Sequence, residues 1–405
     1  MKAIGVVCEY NPFHLGHRRQ FGLIRARYGA DAAVVCAMSG NFVQRGEPAV
    51  FDKFARARAA LLCGADLVLE LPLTACLSSA EGFAAAGVGL FDAMGCVDAL
   101  CFGSERGETA AVRDTAERLL SPEFDGCLRD ELTAGCSYAA ARQRALERLG
   151  GDGTMVRRPN DILAVEYVKA LLRLHSAVEP FAVVRGGDYH AGTPDPDHPS
   201  ATSLRRLLLS GGEWEPYVPR EAAEVFRGAA RYSLAAGERA MLARLRALSD
   251  AEFAALPYGA EGLWSRFRRA CRTEPGLEEI LTASKSKRYA RSRLMRMAMC
   301  AYLGVDAAAL RREPPFVRVL AFDNAGRTLL REAKRQGKIS LLNAGERSPD
   351  RDWGELERRA DGLYALFRTD GGTECGMESK GRACYDPKGK CQEEFGQLGN
   401  FIDKV

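Results

Sequence analysis

The sequence predicts an α/β protein: a doubly wound parallel sheet followed by a mostly helical C-terminal domain. Two patterns carry this expectation. Through the first hundred residues, short continuous runs rich in Ala and Val alternate with amphipathic stretches, as in strands covered on both faces by crossover helices. From 221 to 303 the strand-like runs disappear and apolar positions recur at helical spacing, as in "GERAMLARLRALSD".

The elements follow in order. "AIGVVCEY" reads as the first strand, 15–28 as a helix, "DAAVVCAMSG" as the second strand and "FDKFARARAALLCG" as the second helix. "ADLVLELP" is a strand, "SSAEGFAAAGVGLFDAMG" a helix and "VDALCFGSE" a strand. Residues 106–176 turn helical in "AAVRDTAERLL", "CSYAAARQRALERL" and "NDILAVEYVKALLRL", and "EPFAVVRG" adds one further strand. A polar Pro/Gly/Asp loop, "GDYHAGTPDPDHP", then leads into the helix of "SATSLRRLLLSGG". This divides the chain into a sheet domain (1–215), a mostly helical domain (216–370) and a tail (371–405) whose Gly, Lys and Cys content reads as mobile. Inside the second part, 316–343 reads as strand, turn, helix, strand, and 353–368 as a final helix.

Composition narrows the class. With 405 residues, 47% hydrophobic and 27% charged, the chain is long enough for two or three domains with a substantial core. The formal net charge of +4 does not declare a nucleic-acid binder, but Arg and Lys crowd into 264–298 and 311–338. Thirteen scattered cysteines without a C-x-x-C pair argue against a disulfide framework or a zinc ribbon. Cys375, Cys384 and Cys391 are widely spaced, with no nearby His to complete a tetrahedral set, so no metal site is expected. Neither a signal-peptide pattern nor a run of roughly 20 apolar residues occurs, so the expectation is a cytoplasmic protein without a membrane partner.

The chemistry gathers at "CEYNPFHLGH" (8–17). A strand that ends in a tight turn before a helix starting near Leu15 puts helix amides and the positive end of the dipole at the sheet edge, where doubly wound sheets bind ligands. His14 falls at the turn and His17 one helical turn on, with Gly16 allowing close approach. Two imidazole donors beside those amides suit a phosphate gaining charge during attack at its phosphorus. Taken alone, the same spacing also fits a turn histidine followed by one on a helix surface.

"EYNPFHLGH" resembles the H-x-G-H signature of the nucleotidyltransferase superfamily, which includes class I aminoacyl-tRNA synthetases and the small adenylyltransferases. The run Glu9, Tyr10, Asn11, Pro12, Phe13 departs from the pattern usual in the small adenylyltransferases. With "SGNFVQRGEPAVFDKFARARAALLCGADLVLELP", "FGSE", "RPNDILAVEY", "VVRGGDYH", "SATSLRRLL", "SKSKRYARSRL" and "FVRVLAFDNAGRTLL" in order over residues 1–368, the chain resembles the bacterial tRNA(Met) cytidine acetate ligase family. The resemblance implies a nucleotidyltransferase-like Rossmann fold and an ATP-dependent ligase. Such an enzyme activates acetate as acetyl-adenylate and acetylates the wobble cytidine of elongator tRNA(Met), with Mg²⁺ escorting the pyrophosphate. A small-molecule adenylyltransferase and a non-catalytic RNA-binding protein are the alternatives. Oligomeric state is left open.

The same resemblance implies His14 and His17 as the catalytic pair. It implies ATP contacts along Val7, Cys8, Glu9, Tyr10, Asn11, Pro12, Phe13, His14, Leu15, Gly16, His17, Arg18, Arg19 and Gln20, and at Gly103, Asn160 and Arg185. Asn160 is equally readable as a helix N-cap, and Arg185 as a surface charge. Thr202, Ser203 and Arg205 look like the superfamily's second phosphate-binding signature, though they also suit an ordinary capped helix. In the loop "SGNFVQRGEP", Asn41, Gln44 and Arg45 are candidates for carboxylate or cytosine, and Lys53 for phosphate, with a structural loop the simpler reading of each. In "SKSKRYARSRLMR", Lys287, Arg288 and Arg291 are expected on one helical face with Tyr289 among them, without acidic partners, as a surface for tRNA.

Overall fold

The structure is a computed structural model that describes residues 1–184, 200–286 and 289–386. Arg185, Lys287, Arg288 and Cys391 lie outside the described residues.

An apolar run with no polar face requires cover on both sides. β1 (Ala3–Cys8) is such a run, and β2 (Ala33–Ser39), its parallel neighbour, is buried at every residue. A two-stranded hairpin, β3 (Phe42–Val43) and β4 (Glu47–Pro48), follows, and then β5 (Leu67–Leu71) pairs in parallel with β2. On the other side of β1 lie β6 (Ala99–Ser104) and β7 (Glu179–Val184), both parallel. Successive side chains alternate between two cores. Ala33, Val35 and Ala37 face the helices Ala80–Met94 and Pro159–Leu174, whereas Val34, Cys36 and Met38 face α1 (Leu15–Tyr28) and α2 (Lys53–Leu62). Cys8, Cys36, Cys63, Cys76 and Cys101 are free and buried in this layer.

The sheet departs from the expected parallel arrangement at one edge. β8 (Val317–Asp323) pairs antiparallel with β5, β9 (Leu341–Asn343) and β10 (Cys384–Asp386) both pair with β8, and the order is β10-β8-β5-β2-β1-β6-β7. Thus residues 316–343, assigned from the sequence to a helical second domain, return to the first sheet, and the expected tail contributes a strand before residue 387. The physical reason is that β5 would otherwise present an open edge. The buried run "VRVLAFD" fills it, and after a long helical excursion nothing imposes the parallel crossover geometry.

Between these two visits to the sheet, helices such as Leu234–Ala247, Leu263–Thr273, Leu277–Ser284 and Arg291–Leu303 build a third core with Arg351–Ala365. Phe42 and Leu77, from the segments that follow β2 and β5, belong to that core. Tyr258 Oη donates to Leu77 O at 2.6 Å and Tyr364 Oη to Ala49 O at 2.9 Å, which seats the helices on the C-terminal ends of those strands. Among the described residues no helix is long and apolar enough to cross a membrane.

The antiparallel junction brings acids together at the opposite end of the sheet. Asp66 precedes β5, Asp323 ends β8, and Asp386 is the register partner of Asp323. Burial first, and the Asp323 charge after it, lift the Asp66 carboxyl from 3.8 to about 6, against the Val34 N–H that it accepts at 2.6 Å. A carboxyl raised in the folded state binds its proton more tightly there than when unfolded. Stability from this group is therefore present at low pH and lost as pH rises from about 4 to about 6. In urea titrations across that interval, Asp66→Asn is expected to remove this downward contribution, leaving the variant's stability rising more, or falling less, with pH than the wild type's. Parallel profiles for the two proteins would rule Asp66 out as the titrating group.

Candidate active site

β1 ends in a sharp corner. Tyr10 adopts φ +45°, the Asn11–Pro12 bond is cis, and His14 in extended conformation caps α1. His14 Nδ1 accepts the Gly16 N–H at 3.1 Å, and His17 Nδ1 accepts the His14 N–H at 3.2 Å. This is a reciprocal capping box in which imidazoles take the places of the hydroxyl and carboxylate. The rings stack with centroids 3.7 Å apart. Because both Nδ1 atoms accept, the neutral tautomer of each ring carries its proton on Nε2. No acid occupies the first turn of α1, so the helix itself places no negative charge at the positive end of its dipole. A Cβ on Gly16 would stand 3.0 Å from His14 Cε1, so the glycine makes room for the imidazole. Beneath the pair, Tyr10 meets His17 at 4.8 Å and the fully buried Phe13 at 4.9 Å, an aromatic floor that fixes the upper rings.

Above this corner opens a cleft of about 360 Å³. From the expected segment, Val7, Cys8, Glu9, Tyr10, Asn11, His14, Gly16, His17, Arg19 and Gln20 line it. Pro12, Phe13, Leu15 and Arg18 are not among its walls: Phe13 lies in the floor and Arg18 pairs with Glu221 at 3.2 Å. Gly103, Asn160, Thr202 and Arg205 also line the cleft. Ser203 is 2% exposed and turned into its own helix cap, its amide donating to Ser200 Oγ at 3.1 Å and its hydroxyl to Ser200 O at 2.9 Å.

Asn160 is the second residue of its helix, capped by Arg158, so the N-cap reading does not hold. Its Nδ2 donates to Glu105 Oε1 at 2.8 Å, while Asp161 accepts from Ser104 Oγ at 2.6 Å and Glu105 N at 2.9 Å. These bonds lock "FGSE" against "RPNDIL" at one end of the cleft. Arg205 donates to Asn11 O at 2.9 Å and Thr202 Oγ1 at 3.3 Å, which ties the second phosphate-type helix to the β1 corner.

Gln44 and Arg45 line the same cleft, whereas Asn41 and Lys53 line a separate cavity of about 50 Å³. Lys53 Nζ binds both oxygens of Glu70, at 2.9 and 2.7 Å, and so serves the strand ends rather than the cleft wall. Around Arg45 the hairpin is held on every side. Gln44 N donates to Glu9 Oε1 at 2.8 Å, Gln44 Nε2 to Ser78 O at 3.3 Å, and Arg296 Nη1 donates to Gln44 O at 3.4 Å. Gly46, at φ +81°, packs so closely that a Cβ would lie 2.7 Å from Arg296 N.

Sequence reasoning missed Arg56. Its side chain is fully buried, and it donates from Nε to Phe51 O at 2.9 Å, from Nη1 to Glu9 O and Ser39 O, and from Nη2 to Gly40 O. One guanidinium thereby clasps the ends of β1 and β2.

The basic run differs from its expectation. The helix begins only at Arg291, after a bridge between Ser286 and Tyr289, so 284–296 is not one helical face. Arg291 has an acidic partner, Glu278, bound through both guanidinium nitrogens at 2.7 and 2.6 Å. Tyr289 is buried, donates to Glu261 Oε2 at 3.2 Å and lies under Arg293.

The HIGH Nucleotidyl Transferase family matches residues 1–377. The tRNA(Met) cytidine acetate ligase of Acetivibrio thermocellus is 34% identical over 367 residues, covering 84% of this chain and 88% of that protein. Its counterpart in Clostridium perfringens is 32% identical over 387 residues, covering 91% and 96%. Among solved structures, Thermotoga maritima TmcAL bound with alpha-thio ATP superposes with a TM-score of 0.83 at 29% identity, covering 95% of this chain and 99% of that one. The apo form gives 0.85 at 28% identity.

Arg56→Lys keeps the charge but cannot reach four carbonyls at once. It is expected to lower stability by about 2–4 kcal/mol in urea denaturation, because each buried carbonyl left without a donor costs about 1–3 kcal/mol. A loss below about 0.5 kcal/mol, the scale of an ordinary surface substitution, would show that the clasp is dispensable.

Proposed function

The chain belongs to the HIGH nucleotidyl transferases and, within them, to the tRNA(Met) cytidine acetate ligase family, and from that membership we propose that it acetylates the wobble cytidine of elongator tRNA(Met) at the expense of ATP. The observation that supports this chemistry best is the stacked, backbone-buttressed His14–His17 pair at the N-terminus of α1.

Two displacements make up the reaction. An acetate oxygen attacks the α-phosphorus, the bond to the bridging oxygen breaks, and pyrophosphate leaves. The cytidine N4 amine then attacks the acetyl carbon, the carbon–oxygen bond to AMP breaks, and the amine proton passes to solvent, giving N4-acetylcytidine. In the first step the two Nε2–H groups, with the positive end of the α1 dipole behind them, meet the α-phosphate oxygens as charge builds there, the term that oxyanion-type sites supply most strongly. Gly103 and Asn160 receive the nucleoside, and Thr202 and Arg205 the departing phosphates. Among the described residues no group of three or more His, Cys, Asp or Glu is arranged to hold a metal. Mg²⁺ would enter bound to the ATP phosphates and neutralise their charge, and Glu9 and Glu47, the carboxylates that line the cleft, would hold it there. The helices seated on β2 and β5 present the tRNA, with Lys287, Arg288 and Arg291 as backbone contacts.

Incubation with ATP, labelled acetate and tRNA(Met) is expected to put label on the tRNA and release AMP and pyrophosphate. A dinucleotide formed from nicotinamide mononucleotide or phosphopantetheine would instead establish an adenylyltransferase. His17→Ala is expected to lower adenylate formation by about 10²–10³-fold with the circular dichroism spectrum retained. Replacing Lys287, Arg288 and Arg291 together by Ala is expected to weaken tRNA binding and flatten its salt dependence, by up to about 2.7 in the slope of log K against log salt for three lost phosphate contacts. Pyrophosphate exchange without tRNA then stays at the wild-type rate, and unchanged tRNA affinity would remove these residues from the interface.

A further inference from the structure

We infer that Arg45, with Gln44 and a wall of Ala80 and Phe83, forms a subsite for a short-chain carboxylate, an assignment that rests on the acyl-adenylating function proposed above. Sheet order divides the cleft. β1 lies in the middle and carries the imidazoles on its corner. β6 and β7, with Gly103 and Val183, lie to one side, and β2 and β5 to the other. The hairpin bearing Gln44 and Arg45 follows β2, and the segment bearing Ala80 and Phe83 follows β5. With the nucleoside on the β6 side and the outer phosphates on Thr202 and Arg205, the attacking oxygen enters from the β2 side, roughly in line with the leaving oxygen.

A carboxylate entering there meets an unfavourable field, because Glu9 and Glu47 line the same cleft. It needs a cation on its own side. Arg205, beside Thr202, is given to the outer phosphates, and Arg19 is an exposed residue of α1. Arg45 is the guanidinium on the β2 side, and its planar fork matches two carboxylate oxygens. The three bonds that fix Gln44, together with the Gly46 N–H donated to Val43 O at 2.8 Å, hold the hairpin tip rigid, as orientation of a small nucleophile requires. Phe83, 3% exposed, and Ala80 give the cleft an apolar surface for a short alkyl tail.

The test is carboxylate-dependent exchange of labelled pyrophosphate into ATP without tRNA. Exchange by the wild type with acetate upholds the underlying function, and exchange with no carboxylate at all would sink that function itself. Given wild-type exchange, Arg45→Ala is expected to raise the acetate KM roughly 10- to 100-fold, with the ATP KM within about twofold of wild type and Arg45→Lys recovering part of the loss. Phe83→Ala is expected to raise the rate with butyrate relative to acetate about tenfold. An Arg45→Ala protein with the wild-type acetate KM overturns the assignment, including the case in which only transfer to tRNA falls and the guanidinium belongs to the nucleic acid. Loss of ATP-analogue binding in a calorimeter by Arg45→Ala overturns it as well, since the residue would then serve the nucleotide or the fold.

Discussion

A single buried guanidinium sets the geometry of this protein's working edge. Parallel strands that stop at the same edge leave carbonyl groups there with no further ladder to join, and unsatisfied buried carbonyls are costly. Arg56 gathers four of them, from Glu9, Ser39, Gly40 and Phe51. Burial depresses its proton affinity, while Tyr364, Asp52 and Glu9 support the charge, so carbonyl dipoles and nearby acids do what water would otherwise do. An alkyl side chain would leave four acceptors unmet, and an ammonium lacks the spread of donors. The clasp joins the corner after β1 to the turn after β2, so the imidazole corner and the hairpin share one anchor.

The imidazoles carry a double duty that follows from the same edge. A helix N-terminus offers amides that something must satisfy, and ordinary proteins use a hydroxyl and a carboxylate for it. Here His14 and His17 satisfy their local amides through Nδ1, and the chemistry proposed for them falls to Nε2. A carboxylate in the box would cap as well but would repel a triphosphate. Imidazole caps without placing negative charge at the dipole's positive end. Folding and the proposed phosphate recognition would therefore be two faces of one pair of rings, stacked above Tyr10 and Phe13.

Much of this was legible in the chain because it depends on local pattern. Continuous apolar runs gave the central strands, and the turn before Leu15 placed both histidines at a helix start. What local pattern does not encode is partnership. "VRVLAFD" announces burial but not which edge it meets or in which direction, so β8 was expected in a separate unit. The basic run near 290 looked unopposed only because Glu278 and Glu261 are remote in the linear order until folding brings them to Arg291 and Tyr289. Arg56 did leave a trace. Lys53, Arg56, Ala57 and Ala60 fall at i, i+3, i+4 and i+7, so two cations stand on the stripe that the alanines mark as buried. A charge on such a stripe signals a satisfied polar centre.

The helical region bears on the chemistry through the segments it touches. Leu77 and Phe42 enter its core, Tyr258 and Tyr364 bond carbonyls of the segments after β5 and β2, and Gly46 lies against the backbone of 295–296. All these contacts fall on the β2 and β5 side of the imidazole corner, the side from which a second substrate must come if the nucleoside occupies the other. A reactive acyl-adenylate has to be met by a nucleophile borne on a molecule far larger than the cleft, and a displacement of about 1 Å in such an encounter costs orders of magnitude in rate. If the helices carry that molecule, their bonds to the segments that follow β2 and β5 couple its position to the reacting carbon through packed protein rather than through a linker.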